Sequence, residues 1–127
     1  MISHGGNDRT HVVRIPDAPR IELRLPDTAA NPYLLPAAAA AAGLDGIAND
    51  ISPGPRATVA AWDLPDGAAE PLPSCLLDAL RALEADTALV DALGPDLVAA
   101  YLKLRTQQWE SYCGHLSQWE LDTGLNA

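Results

Sequence analysis

Apolar and polar positions alternate in two short runs near the start of the chain. Residues 10–15 (THVVRI) and 20–25 (RIELRL) are β-branched or aliphatic stretches separated by PDAP. They predict an antiparallel pair of strands joined by a short turn. Side chains on a strand alternate between faces, so Ile21, Leu23 and Leu25 line one side of the second run and Arg20, Glu22 and Arg24 the other. One face is apolar and the other is a row of charge. Two strands alone are marginal in water, so the pair needs further packing.

After Asp27 the period changes. In TAANPYLLPAAAAAAGLDGI, Asn31 is an N-cap candidate, Pro32 stands at the first helical position, and Gly43 or Gly46 offers a stop. A helix is expected within residues 28–51, with Pro36 as a kink or a late start. Residues 52–73 are rich in Pro and Gly and read as a long loop. From residue 74 the pattern is helical. Leu76, Leu80 and Leu83 recur at i, i+4 and i+7, and Leu97, Tyr101, Leu104, Tyr112, Leu116 and Trp119 continue the period after Pro95. That Leu, Tyr and Trp face is read as plain core. The expected architecture is α+β in one domain: strands over 1–27, a helix in 28–51, a loop over 52–73 and a helical end over 74–127. At 127 residues and 48% apolar content the chain is large enough to bury a core.

Charge sharpens this picture. The net charge of −9 argues against nucleic acid or an anionic membrane as partner, since both select clustered Lys and Arg. Residues 1–27 nonetheless hold Arg9, Arg14, Arg20 and Arg24 against four acids, so the segment is neutral and the whole excess of negative charge lies downstream. The arginines gather where an anion site would be sought. Cys75 and Cys113 have no metal-ligand spacing and suit a reducing compartment. The start MISHGGNDRTH lacks the basic and apolar parts of a signal peptide, and Ala37–Ala42 is far shorter than the ~20 apolar residues of a membrane span. A soluble cytoplasmic protein is expected.

Two readings of the charged row stand side by side. It is either a solvated salt-bridge ladder, worth at most about 1 kcal/mol per pair, or a site for an anionic ligand with a bound metal. Guanidinium forks bind carboxylate and phosphate in two-point fashion, and a carboxylate between them can hold Mg²⁺ or Mn²⁺. Arg9 and Arg14 are separated by an odd number of residues and would point opposite ways on one unbroken strand. A bulge, or Arg9 lying in a loop, would bring them together. His4 and His11 lack a third ligand for zinc, and HGGND is a glycine turn without the rest of a phosphate-loop or dinucleotide fingerprint.

The segments NDRTHVVRIP, RIELRLPD, ANPYL and AAGLDGI, in this order and near this spacing, resemble the C-terminal part of the glutamine synthetase superfamily. The ending LLDALRALEAD…LVAAYLKLRTQQWESYCGHLSQWELDT resembles the C-terminal helices of the bacterial type III branch. The resemblance covers essentially the whole chain. It implies a fragment of a catalytic domain that joins ATP, Mg²⁺ or Mn²⁺, and glutamate. Glu22 matches the family's metal-ligand glutamate, and Arg24 matches the arginine gripping substrate glutamate. Arg9 matches an arginine touching both phosphate and the glutamyl group, while Arg14 and Arg20 match phosphate-contacting arginines. The implied reaction forms an acyl phosphate from the glutamate γ-carboxylate and ATP; ammonia, or a small amine such as methylamine or a polyamine, then displaces phosphate. A homo-oligomeric ring is implied for the full-length enzyme.

Three departures bear on these expectations. The PDAP turn is shorter than in the enteric type, which puts any phosphate contact from that loop aside. Trp62, in AAWDLPDG, stands where the enteric type has a tyrosine that can be adenylylated, so that control is expected to be absent. The family's enzymes also run to several hundred residues, and the β-grasp domain and most metal ligands have no counterpart here. The chain alone is expected to be inactive, and a non-catalytic remnant or assembly module is the alternative.

Overall fold

The computed structural model describes residues 1–17 and 19–124 of the chain. Among them it is an α+β protein that divides into two compact units, Met1–Leu72 and Pro73–Ala127.

The first unit holds a three-stranded sheet in the order β1 (His4–Gly5), β2 (Val13–Asp17), β3 (Arg20–Leu23). β2 and β3 are antiparallel, with Val13 opposite Leu23 and Arg14 opposite Glu22. The register slips between Arg14 and Asp17, so that Asp17 faces Arg20. β1 lies parallel to β2, a pairing that the two residues HG do not announce in the sequence. Gly5 continues the ladder on its other side in an isolated bridge to Ala57, whose N–H donates to the His4 carbonyl at 2.9 Å. The Pro/Gly-rich segment is thereby tied to the sheet. Ala61, at the start of a short 3₁₀ turn (Ala61–Asp63), is buried, and its N–H donates to Thr10 Oγ1 at 2.8 Å.

Helix α1 spans Leu34–Ala48. Asn31 acts as its cap in chemical terms, because its Oδ1 accepts from the N–H groups of Tyr33 and Leu34 at 2.9 and 3.1 Å. Pro36 falls in the first turn, where an N–H has no intrahelical partner, so the late start is realised and no interior bond is lost. The expected stop at Gly43 or Gly46 is not realised: the helix runs through both. It ends where Asp50 takes a positive φ of 49°, with Ile51 N–H donating to the Gly46 carbonyl at 2.9 Å and Asp50 N–H to the Ile47 carbonyl at 3.4 Å. That pairing satisfies the last carbonyls and is what halts the helix.

The second unit is helical: α2 (Leu76–Ala85), α3 (Thr87–Leu93), α4 (Pro95–Cys113) and α5 (Gln118–Gly124). Three of the four starts have a local cause. Asp86 Oδ1 accepts from Leu89 N–H at 3.0 Å and opens α3, while Pro95 opens α4 after Gly94, which has φ of 93°. Ser117 and Glu120 form a reciprocal capping pair before α5, each side chain accepting from the other's N–H. Helix α4 packs against α2 and α3. The core is centred on Leu80 and Val98, 5% and 3% exposed.

The expected aromatic and leucine core face of α4 and α5 is corrected by this packing. Leu97 and Leu104 are 46% and 54% exposed, and Tyr112, Leu116 and Trp119 are more exposed still. Of the expected face Tyr101 is half-buried, and the residues covered beside it on α4 include Val98, Leu102, Arg105 and Trp109, each next to or beyond an expected position. Arg105 belongs to the covered face because its guanidinium sits 5.2 Å from the Tyr101 ring centre, so a charged residue takes part in a face that hydropathy assigns to leucines.

Candidate functional site

The charged row folds into a cluster by cross-strand pairing. Arg14 on β2 stands opposite Glu22 on β3, and its Nη1 donates to Glu22 Oε2 at 2.7 Å. Arg24, two residues beyond Glu22 and therefore on its side of the extended chain, donates from Nη1 to the other carboxylate oxygen, Oε1. One carboxylate thus lies between two guanidinium groups. Arg14 is 15% exposed, while Glu22 and Arg24 are 37% and 34% exposed, so the cluster is reached from solvent over Glu22 and Arg24. The two arginines hold the Glu22 carboxyl below the usual carboxylate range, Arg14 having the larger effect.

Arg9 joins the cluster through its backbone. It lies in the turn between β1 and β2, and its carbonyl accepts from Arg24 Nε at 3.0 Å. The odd spacing of Arg9 and Arg14 is resolved by the loop rather than by a bulge. Asp8 shapes this turn: its Oδ1 accepts from Thr10 N–H at 2.8 Å, a bond that lowers the Asp8 pKa. Arg20 does not join the group. The register slip places it beside Asp17, with Nε 3.1 Å from Oδ1 and both side chains about two-thirds exposed.

Asn7, which the sequence placed only in a glycine turn, and His11, considered there only as a zinc ligand lacking partners, lie beside this arrangement. Asn7 Oδ1 accepts from Arg14 Nη2, so both terminal nitrogens of Arg14 are engaged. His11, 2% exposed, is hydrogen-bonded through Nδ1 to Ser3 Oγ at 2.9 Å and lies over the Gly5 backbone, where a Cβ would meet its ring at 2.2 Å. The signal for Asn7 was the turn-forming GGND; nothing in the sequence alone told which neighbour its amide would meet. Asn7, His11 and Arg56 line an open cleft of about 500 Å³ beside the cluster.

The donor set does not by itself fit a divalent cation. Both Glu22 oxygens accept from guanidinium groups, and among the described residues no group of three or more His, Cys, Asp or Glu side chains could hold a metal ion. What the cluster does present is positive charge in fixed orientation, with two guanidinium groups against one carboxylate, which suits an oxyanion.

Residues 1–123 match the family model described as the glutamine synthetase catalytic domain. The chain belongs to the glutamine synthetase family. It is 49% identical over 124 residues to a glutamine synthetase of Rhizobium leguminosarum bv. phaseoli, covering 95% of this chain and 28% of that protein. A glutamate–methylamine ligase of Methyloversatilis universalis is 40% identical over 129 residues, covering 98% of this chain and 29% of the relative. Among solved structures, GmaS in complex with ADP superposes with a TM-score of 0.93 at 52% identity, over 98% of this chain and 29% of the other. The chain therefore spans under a third of the length of these relatives. The fold is that of a fragment of the glutamine synthetase catalytic domain. No described helix is long and apolar enough to cross a membrane.

Proposed function

We propose that this chain is the C-terminal part of the catalytic domain of an ATP-dependent ligase that joins glutamate to ammonia or a small amine. The single observation that supports it best is the Arg14–Glu22–Arg24 cluster, formed by cross-strand pairing and pinned to the Arg9 carbonyl, in a chain of this family. Phosphoryl transfer depends mostly on positioning and charge neutralisation, and arginines in fixed orientation are suited to both. In this reading Arg24 grips the substrate carboxylate, Arg9 meets both phosphate and the glutamyl group, Arg14 meets phosphate oxygens, and Glu22 contributes one carboxylate to a Mg²⁺ or Mn²⁺ whose remaining ligands lie outside this chain; Arg20, paired with Asp17, has no part in it. The metal would neutralise charge developing on the phosphoryl oxygens. The working form is a cytoplasmic homo-oligomer, the ring expected of full-length members.

A second reading concerns the amine. The 40% identity to a glutamate–methylamine ligase supports a γ-glutamyl-amine ligase, beside the ammonia use supported by the 49% identity to a glutamine synthetase. A hybrid enzyme decides the class of reaction. Residues 1–123 are grafted in place of the corresponding part of the Rhizobium leguminosarum glutamine synthetase, and phosphate release from ATP is measured with glutamate, Mn²⁺ and either ammonia or methylamine. Glutamate- and amine-dependent turnover is expected. A folded hybrid without turnover, beside an active parent, would turn the reading toward a non-catalytic module.

A further inference from the structure

Arg14 is held at two of the three nitrogens of its guanidinium. Nη1 donates to Glu22 Oε2, Nη2 donates to Asn7 Oδ1, and Nε is buried with no hydrogen-bond partner among the described residues. A guanidinium group only donates, so Asn7 must present its amide oxygen to it, leaving the amide NH₂ directed elsewhere. Because Glu22 is shared with Arg24, Asn7 is the acceptor that Arg14 has to itself.

Asn7 is also held more firmly than its exposure suggests. The Gly6 carbonyl before it accepts from Ile15 N–H at 3.2 Å, and the Asp8 carboxylate after it caps Thr10 N–H at 2.8 Å. The Arg56 guanidinium lies over Gly6, within 2.8 Å of where a Cβ would stand, and so confines the backbone on that side. The turn brings a fixed acceptor to β2 from a segment of the chain that β3 does not control.

We infer that Asn7 is a positioning residue for Arg14: with Glu22 it fixes the plane of the guanidinium, so that Arg14 meets an oxyanion already oriented. The inference rests on the proposed role of Arg14 as a phosphate-contacting arginine. It separates two functions in the cluster. Glu22 supplies the charge that balances Arg14 and Arg24, and Asn7 supplies direction to Arg14 alone. Removing Asn7 leaves the charge unchanged and loosens one arginine.

Two measurements test this, one of them independent of turnover. In ¹⁵N-arginine-labelled 127-residue chain, rotation of the Arg14 guanidinium about its Nε–Cζ bond is followed by side-chain NMR. Asn7→Ala is expected to speed that rotation roughly tenfold, the scale set by losing a hydrogen bond to a charged group. Arg24 keeps its rate, and Asn7→Asp, which retains an acceptor oxygen, restores the slow rotation. In the hybrid enzyme, Asn7→Ala is expected to raise the KM for ATP by roughly tenfold while the KM for glutamate stays within about twofold, with Asn7→Asp recovering most of the difference. Equal Arg14 rotation in Asn7→Ala and parent, with the fold intact by circular dichroism, overturns the inference. So does an equal rise in both KM values. A hybrid inactive in every form would count against the proposed ligase function, and the NMR result would still decide the role of Asn7.

Discussion

Gly5 has no room for a side chain, since a Cβ there would lie 2.2 Å from His11 Cδ2 and 2.5 Å from Nε2. His11 is buried and tied to Ser3, so the ring cannot swing into solvent without losing that bond. Gly5→Ala should therefore destabilise the chain by about 1–3 kcal/mol in a urea titration, the usual range for overpacking. Gly43 sits inside α1 with nothing within 4 Å of its Cβ position, and Gly43→Ala should stabilise by about 0.4–1 kcal/mol. Equal effects of the two substitutions would mean that His11 does not rest on β1. Glu22 carries the pH dependence of the cluster. Its folded pKa is depressed by Arg14 and then Arg24, so the stabilisation is present above the usual carboxylate range and is lost as pH falls through the folded value. The Glu22→Gln chain should lack that part of the acid-side loss; identical acid profiles would show the carboxylate to be unpaired in solution. Arg24→Lys in the hybrid enzyme should raise the KM for glutamate well beyond that for ATP, because a point charge cannot replace the fork that grips a carboxylate.

At the scale of elements, the helical unit offers a test of which face of α4 is covered. Val98→Ala, at a buried position of α4, should cost about 1–3 kcal/mol, whereas Leu104→Ala, 54% exposed, should change stability by no more than about 0.5 kcal/mol. Thermal unfolding monitored at 222 nm distinguishes these; a large loss at Leu104 would restore the leucine face read from periodicity. That reading failed because hydropathy counts Arg105 as polar, while in the fold its guanidinium stacks near Tyr101 and shares a helix face with Val98. Strands β2 and β3 were legible because alternation over RIELRL is a property of the local chain. β1 was not, because two residues, His4 and Gly5, carry no period and pair only through β2 and Ala57. The start of α1 was legible in Asn31, but its end was not, since Asp50 in a left-handed conformation does the work assigned to a glycine. In the site, alternation places Glu22 and Arg24 together, and cross-strand register, which the sequence does not print, adds Arg14 and removes Arg20. Asn7 escaped because an amide acceptor is defined only by the neighbour it meets.

For the molecule as a whole, the proposal that the chain is one part of a ligase carries a requirement about activity. In that proposal Glu22 is the residue that meets the metal, and its two oxygens are already engaged by Arg14 and Arg24. A hard divalent cation takes about six oxygen ligands, so one carboxylate from this chain leaves most of the coordination to be supplied from outside it. The exposed side chains point the same way: Ile21, Leu23 and Leu25 are 70%, 40% and 50% exposed. An uncovered apolar strand row of this kind promotes association. The purified 127-residue protein, given ATP, glutamate, an amine and Mn²⁺, should release phosphate at the rate of a blank, and size exclusion should show it associated. The Arg14–Glu22–Arg24 cluster would still form in that protein, because its hydrogen bonds come from residues within 7–24 and the acid profile of Glu22 reports them without turnover. Phosphate release above background that disappears in Glu22→Gln would overturn the requirement and show that copies of this chain assemble a working site among themselves.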